Sequence, residues 1–343
     1  MEYLVGRMLG LHFTKAFADE AGNAVGVMGN GPRQLVLLGH IDTVAGEIEV
    51  HISPPGSGET PGGRVLYGRG SVDAKGPLAA YVDAVAACRP LPGWQLIVIG
   101  AVGEEADSPG ARHVVPLYKP EYAIIGEPSC WERVTLGYKG SARLRLTVRR
   151  SMVHSARQDE TASEAVIRAW ETIKTRVADF NLDRERMFER LLVSLRGMDS
   201  GGDGFEEWAN LQIATRLPPG LPPGQWYGQL AGDEGLSDIP GLSIEPVGFP
   251  VPAYTAEKNT PLVRAFLHGI RKAGGEPGFV LKTGTSDMNL LAPAWGCPAL
   301  AYGPGDSALD HTPDEHISLD EYEKAVEVLR EVLEQVCLGK PTA

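Results

Sequence analysis

The chain has 343 residues, of which 43% are hydrophobic and 22% charged, and its 44 Asp and Glu against 32 Lys and Arg leave a net charge of −12. This is globular composition with length for about two domains, which excludes a disordered or fibrous chain, and the acidic balance disfavours nucleic-acid binding, which draws on Lys and Arg to meet phosphates. No run of about 18 apolar residues occurs, the N-terminus MEYL lacks the basic-then-apolar order of a secretory signal, and Cys88, Cys130, Cys297 and Cys337 form no CxxC pair, so a cytoplasmic protein with reduced thiols and no membrane or nucleic-acid partner is expected.

In chain order, Gln34 to Gly39, Leu96 to Val102 and Tyr122 to Gly126 are continuous apolar runs, the pattern of strands buried on both faces. Between the first two, Leu78, Tyr81, Val82 and Val85 fall at i, i+3, i+4 and i+7 behind Pro77, which predicts an amphipathic helix. From Lys139 onward Arg143, Arg145 and Arg149 alternate with Leu144, Leu146 and Val148, so this strand has one wet face. A helix from Ser163 to about Val177, strands at Leu191 to Leu195 and Leu211 to Arg216, and the turn-rich PPGLPPG from Pro218 follow, and the order fits a small two-layer α+β domain. A helix at Leu262 to Ala273, a short strand at Ala299 to Tyr302 and a final helix with the stripe Leu319, Tyr322, Val326, Leu329, Val332 and Val336 return to α/β character. The expected organisation is an α/β catalytic domain in two parts, 1–137 and 252–343, flanking an inserted domain of 138–251.

Five hard-metal ligands follow apolar runs or open turns: His40 in GHID, Asp73 in GRGSVDAKG, Glu105 in VGEEAD, Glu127 in IIGEPS and His311 in DHTPDEH. Open α/β sheets gather ligands at the carboxyl ends of their strands, so these residues can converge. Two imidazoles and three carboxylates suit a pair of zinc-like cations, with Asp73 as the bridging anion between them and a shared water whose pKa falls toward neutrality. Glu104 and Glu105 are consecutive and would point opposite ways in extended backbone, so Glu105 is read as ligand and Glu104 as general base. Asp42, two residues after His40, is placed to accept from the second ring nitrogen and fix its tautomer.

The segments LLGHIDTV, GRGSVDAKGPLAAY, VGEEADSPGARH, IIGEPS, MVHSA, TRLPPG, GTSDMNLL and DHTPDEH resemble, in order and spacing, the dizinc aminoacylase and carboxypeptidase family, which includes acetylornithine deacetylase, succinyl-diaminopimelate desuccinylase and glutamate carboxypeptidase. The resemblance implies a mixed-sheet zinc-peptidase-like catalytic domain with an inserted ferredoxin-like α+β lid that dimerises. It implies two Zn2+ or Co2+ ions, one held by His40, Asp73 and Glu127 and the other by Asp73, Glu105 and His311. It further implies that His154 in MVHSA reaches the partner subunit's site to stabilise an oxyanion, that Arg216 clamps a substrate carboxylate, and that Thr285, Ser286 and Asp287 line the substrate pocket. The chain starts abruptly at MEYLVGRM, so the family's first helix is expected to be shortened.

Within the family, LQIATRLPPG and the run from KTGTSDMNLL to HISLDEY are most similar to the hydrolases that release lysine or ornithine from the C-terminal glutamate of a small acidic amino-group carrier protein. This implies a role at the end of carrier-dependent lysine or arginine biosynthesis. A deacylase of free N-acyl amino acids, or a dipeptidase, is the alternative, since all would share the catalytic residues. The net charge of −12 opposes an acidic carrier, and Arg143, Arg145, Arg149 and Arg150 with Lys139 are the local basic groups that could attract one.

Overall fold

A computed structural model describes residues 1–53, 63–89, 91–152 and 159–339. The elements run α1 (Glu2–Gly10), β1 (Lys15–Ala18), β2 (Ala24–Met28), β3 (Arg33–His40), β4 (His51–Ser53), β5 (Val65–Tyr67), α2 (Lys75–Ala87), β6 (Trp94–Ala101), α3 (Pro109–Val114), β7 (Tyr122–Gly126) and β8 (Arg133–Tyr138). They continue with β9 (Gly140–Ser151), α4 (Ala162–Phe180), β10 (Leu192–Gly202), β11 (Glu206–Leu217), α5 (Pro223–Ala231), α6 (Glu234–Ser237) and β12 (Leu242–Val251). The chain ends with β13 (Tyr254–Thr255), α7 (Pro261–Lys272), β14 (Gly278–Lys282), α8 (Met288–Trp295), β15 (Ala299–Ala301), β16 (His316–Ser318) and α9 (Leu319–Leu338). None of the described helices is long and apolar enough to cross a membrane.

The chain divides into two compact units: Met1–Gly137 with Thr255–Leu281 and Ser286–Ala343, and Tyr138–Tyr254 with Lys282–Thr285. The first unit is built on a mixed sheet in the order β1-β2-β6-β3-β7-β15-β8-β13, with β14 beside β8. Its centre, β6-β3-β7-β15, is parallel, while β1, β2 and β8 pair antiparallel with their neighbours. The three apolar runs read from sequence are the parallel strands β3, β6 and β7, whose residues are almost all buried because helices cover both faces. Helix α1 and the hairpin β1-β2 in front of them carry too short a pattern to be read from sequence.

In α9 the buried stripe is Ala325, Val328, Leu329, Val332 and Leu333, while Val326 and Val336 of the expected stripe are only half-buried. The helix lies against both α2 and α7, so its buried face is centred between them rather than on the most apolar positions.

The second unit carries an antiparallel sheet in the order β10-β11-β9-β12. With its helices the chain order is βαββαβ, the ferredoxin-like arrangement. One face packs on α4, whose Ala162, Ala165, Val166, Ala169, Ile173 and Val177 meet Leu144, Leu146, Leu211 and Ile213. Helix α4 opens on a reciprocal capping box: Glu164 N–H donates to Thr161 Oγ1 at 3.2 Å, and Thr161 N–H donates to Glu164 Oε2 at 2.8 Å. Strands β10 and β11 extend well beyond the short apolar runs that announce them, because their outer halves are held by ladder pairing rather than by burial. Helix α5 begins inside PPGLPPG, where Pro223 occupies a first-turn position that needs no N–H.

Candidate active site

The parallel strands β3, β6 and β7 are neighbours in the first unit, and each delivers a site residue at its carboxyl end. His40 closes β3, Glu104 and Glu105 follow β6, and Glu127 follows β7 directly. Asp73 stands in the turn before α2, where the Asp73–Ala74 peptide is cis, and His311 lies between β15 and β16 with φ of +60°. Such a backbone is uncommon for a residue with a side chain.

Asp73 faces both imidazoles with different oxygens. Its Oδ1 is 3.1 Å from His40 Nε2 and its Oδ2 is 3.0 Å from His311 Nε2. His311 Nε2 also lies 3.0 Å from Glu105 Oε1. Among the described residues, ligand atoms of Asp73, Glu105 and His311 lie within 4.8 Å of one another, as do those of His40, Glu104 and Glu105. Glu127 falls in neither group; it is 8% exposed and acts on the charges of His40 and Glu104.

The backbone at Glu104 and Glu105 is a turn, not extended, which corrects the expectation that their side chains point apart. Gly103 at φ +74° opens this turn, and three consecutive N–H groups converge on Asp42. Gly103 N and Glu104 N donate to Asp42 Oδ1 at 2.9 and 3.3 Å, and Glu105 N donates to Oδ2 at 3.2 Å. Both glutamates are thereby turned to the same side.

That use of the carboxylate also corrects the reading of Asp42 as the acceptor for His40. The nearest acceptor to His40 Nδ1 is the main-chain carbonyl of Asp42 at 3.0 Å, whereas Asp42 Oδ1 is 3.8 Å away. The tautomer is set by the backbone, and the side chain holds the glutamate turn.

The charges are crowded. Burial alone would lower the His40 imidazole, but its bond to Asp73 and the nearby Glu104 and Glu127 outweigh burial and hold it well above its ordinary value. Burial first, then Glu127 and Asp287, push the Glu104 carboxyl well above the carboxylate range. Glu105 is raised by burial and by Asp73. A buried set of carboxylates around two imidazoles is stabilised by added positive charge, and nitrogen and oxygen donors without thiolate fit divalent ions of the zinc or cobalt kind.

One contributor went unread in the sequence. Glu315, 1% exposed, accepts the N–H of Val72 at 2.9 Å and of Asp73 at 3.1 Å, and pairs with Arg69 at 2.9 Å. It holds the Asp73 turn from behind. Its only sequence signal is an acid beside a strand in DHTPDEH, which attracts no notice next to His311.

The residues read as substrate contacts separate. Arg216 ends β11 in the second unit and donates to the Thr285 hydroxyl, which is half-buried. Ser286 and Asp287 are buried in the first unit, and the charge of Asp287 acts on Glu104. Ser286 is 4% exposed and its hydroxyl accepts from Met288 N at 3.2 Å, capping the start of α8. Asp287 is 1% exposed and raised to about 6 by burial, against a hydrogen bond from Ser108 and the charge of His40. His154 lies outside the described residues.

The family model for peptidase family M20/M25/M40 matches residues 36–335. The chain is 42% identical over 330 residues to a LysW-lysine hydrolase of Deinococcus radiodurans, covering 94% of this chain and 88% of that one. Among solved structures it is similar to an M20 family metallo-carboxypeptidase of Sulfolobus solfataricus, with a TM-score of 0.76 at 19% identity over 98% of this chain and 93% of the other. A Bacillus subtilis protein described as a dinuclear metal-binding peptidase of the M20 family gives a TM-score of 0.66 at 12% identity, covering 98% and 91%. At those identities the structures speak for the fold alone.

Proposed function

The chain belongs to peptidase family M20/M25/M40 and is a hydrolase, and from that premise we propose that it releases L-lysine, or L-ornithine, from the C-terminal glutamate of an amino-group carrier protein, LysW-like and acidic. The scissile bond is the amide between a side-chain carboxyl of that glutamate and the α-amino group of the product. Water adds to the carbonyl, the C–N bond breaks, and the amine leaves with a proton. The observation that carries this reading is the 42% identity to a LysW-lysine hydrolase along 94% of the chain.

His40, Asp73, Glu105, Glu127 and His311 would hold two divalent ions, which when bound polarise the carbonyl and make water acidic enough to attack near neutral pH. Glu104 takes the proton from the attacking water and returns it to the nitrogen, a task suited to a carboxyl that burial raises above its ordinary value. Asp42 holds Glu104 and Glu105 in position by their own N–H groups. Arg216 meets the free carboxylate of the product, where a planar fork outperforms a lysine. In this reading the second unit is the lid of a homodimer, and His154 stabilises the oxyanion in the partner subunit's site. Lysine and ornithine differ by one methylene, worth only about 1–3 kcal/mol in a pocket, so the two amines are separated weakly by binding alone.

The test compares amino-acid release by zinc- or cobalt-loaded enzyme from carrier-linked lysine, carrier-linked ornithine and N-acetyl-lysine at equal concentration. Preference for the carrier conjugates is the expected result. Equal or faster turnover of the acetyl compound would make the protein a small-molecule deacylase.

A further inference from the structure

Strand β6 lies between β2 and β3, and the loop that leaves it carries both active-site glutamates. Because β3 runs parallel to β6 and β2 runs antiparallel, the end of β3 and the start of β2 both sit beside the carboxyl end of β6. His40 pairs with Ala101 there, and Ala24 with Gly100. One side chain from each flank reaches the loop. From the β3 flank Asp42 takes the three N–H groups of Gly103, Glu104 and Glu105. From the β2 flank comes Asn23, which is 0% exposed.

Asn23 closes the loop at its mouth. Its Oδ1 accepts the N–H of Val102 at 3.0 Å and its Nδ2 donates to the carbonyl of Gly110 at 3.2 Å, so one amide joins the two ends of the segment 102–110. The N–H of Gly110 donates to the carbonyl of Val102 at 3.0 Å and completes the closure. Position 110 has no room for a side chain: an added Cβ would lie 2.3 Å from Asn23 Oδ1 and 2.5 Å from Val102 N. The second hydrogen of Nδ2 goes to Asp19 Oδ2 at 2.8 Å, while Asp19 Oδ1 accepts the N–H groups of Ala21 and Asn23, each at 2.9 Å. The turn between β1 and β2 thus folds around Asp19 and fixes the Asn23 amide, which meets an N–H on one side and two oxygens on the other.

We propose that Asn23 is a positioning residue for the reaction: it holds the ends of the loop so that Glu104 and Glu105 keep their places, while Asp42 shapes the interior. The inference rests on the proposed roles of the two glutamates and adds what fixes their backbone. A position that needs only packing is filled as well by an apolar side chain of similar volume, and a buried amide is unfavourable unless its bonds are made. The requirement at Asn23 is for a donor and an acceptor at a fixed separation, and the groups that meet them are the main chain on either side of the glutamates. Displacing a reacting group by about 1 Å can cost about 100-fold in rate while the substrate still binds.

The experiment compares wild type, Asn23→Leu and the double variant Asp19→Asn/Asn23→Asp, all metal-loaded, on whichever of carrier-linked lysine and N-acetyl-lysine the wild type cleaves faster. The double variant keeps an acceptor for Val102 and a hydrogen bond between positions 19 and 23 but has no donor for Gly110, and the Leu variant has neither. In both, kcat is expected to fall by about 10- to 100-fold, more in Asn23→Leu, with KM within about threefold of wild type. Amide hydrogen exchange of the metal-free proteins is expected to quicken across 102–110 and to stay as in wild type across β3 and β7. Wild-type kcat in the double variant, a rise in KM at constant kcat, or exchange that quickens throughout the sheet would overturn the proposal, because the amide would then serve the fold and not the loop. If Asn23→Leu does not fold, the double variant decides alone. If the loop loosens and kcat falls as expected but the carrier conjugate is never hydrolysed, the positioning role stands and the proposed function falls.

Discussion

Glu315 accepts the backbone N–H of Asp73 at 3.1 Å, so the acid that faces both imidazoles is positioned by a second, buried acid. Second-layer partners of this kind typically change metal affinity by about 10- to 100-fold when altered. Glu315→Gln is expected to weaken metal binding within that range while leaving the fold intact. A metal-buffer titration checks it, and an unchanged affinity would reduce Glu315 to a purely structural role.

Glu104→Gln should keep its metal complement and lose turnover by about 10²- to 10⁴-fold, the usual share of a proton-transfer group. Metal analysis together with steady-state rates separates this from ligand loss. Near-normal turnover in the variant would remove Glu104 from the proton path.

Chelation should destabilise the protein in a pH-dependent way. Burial raises Glu104, Glu105 and Asp287, the last to about 6, so without cations the contribution of Asp287 is intact below the ordinary carboxylate range and lost as pH rises through about 6, and the two glutamates act in the same direction. Cations offset the charge that appears. The gap in Tm between loaded and chelated protein is therefore expected to widen as pH rises from about 4 to about 6, and a constant gap would contradict the assignment.

Arg216→Lys keeps a positive charge but loses the planar fork. Charge-assisted hydrogen bonds are worth about 1.5–3 kcal/mol, so KM for the conjugate should rise by about 10- to 100-fold with a smaller change in kcat. A fall in kcat at constant KM would place the arginine at the reacting carbonyl instead.

Lys139 is buried in the second unit, donates to the Arg190 carbonyl, and is lowered by burial to about 8. The unfolded chain therefore binds more protons between about pH 8 and about pH 10.5, and stability should rise with pH across that window relative to Lys139→Met, by no more than about 3 kcal/mol. Denaturant melts of both proteins at several pH values read the difference directly.

The legible parts of this molecule are those that depend on short-range pattern. Continuous apolar runs identify β3, β6 and β7 because strands covered on both faces exclude polar residues, and a ligand after each run is where parallel sheets place their sites. What escapes is decided by backbone turns and capping. Glu104 and Glu105 share a side only because three N–H groups fold around Asp42. Glu315 escapes because its partners are main-chain groups over 240 residues away in sequence, a relation that local periodicity does not encode.

The second unit is assembled from two separate stretches, Tyr138–Tyr254 and Lys282–Thr285. Anyone transplanting it between family members as one continuous cassette would carry Arg216 across and leave its Thr285 acceptor behind. Exchange of substrate preference by recombination thus requires two coordinated crossovers on the far side of the insertion, so the short return strip travels as part of the module's heredity even though it lies remote from it along the gene.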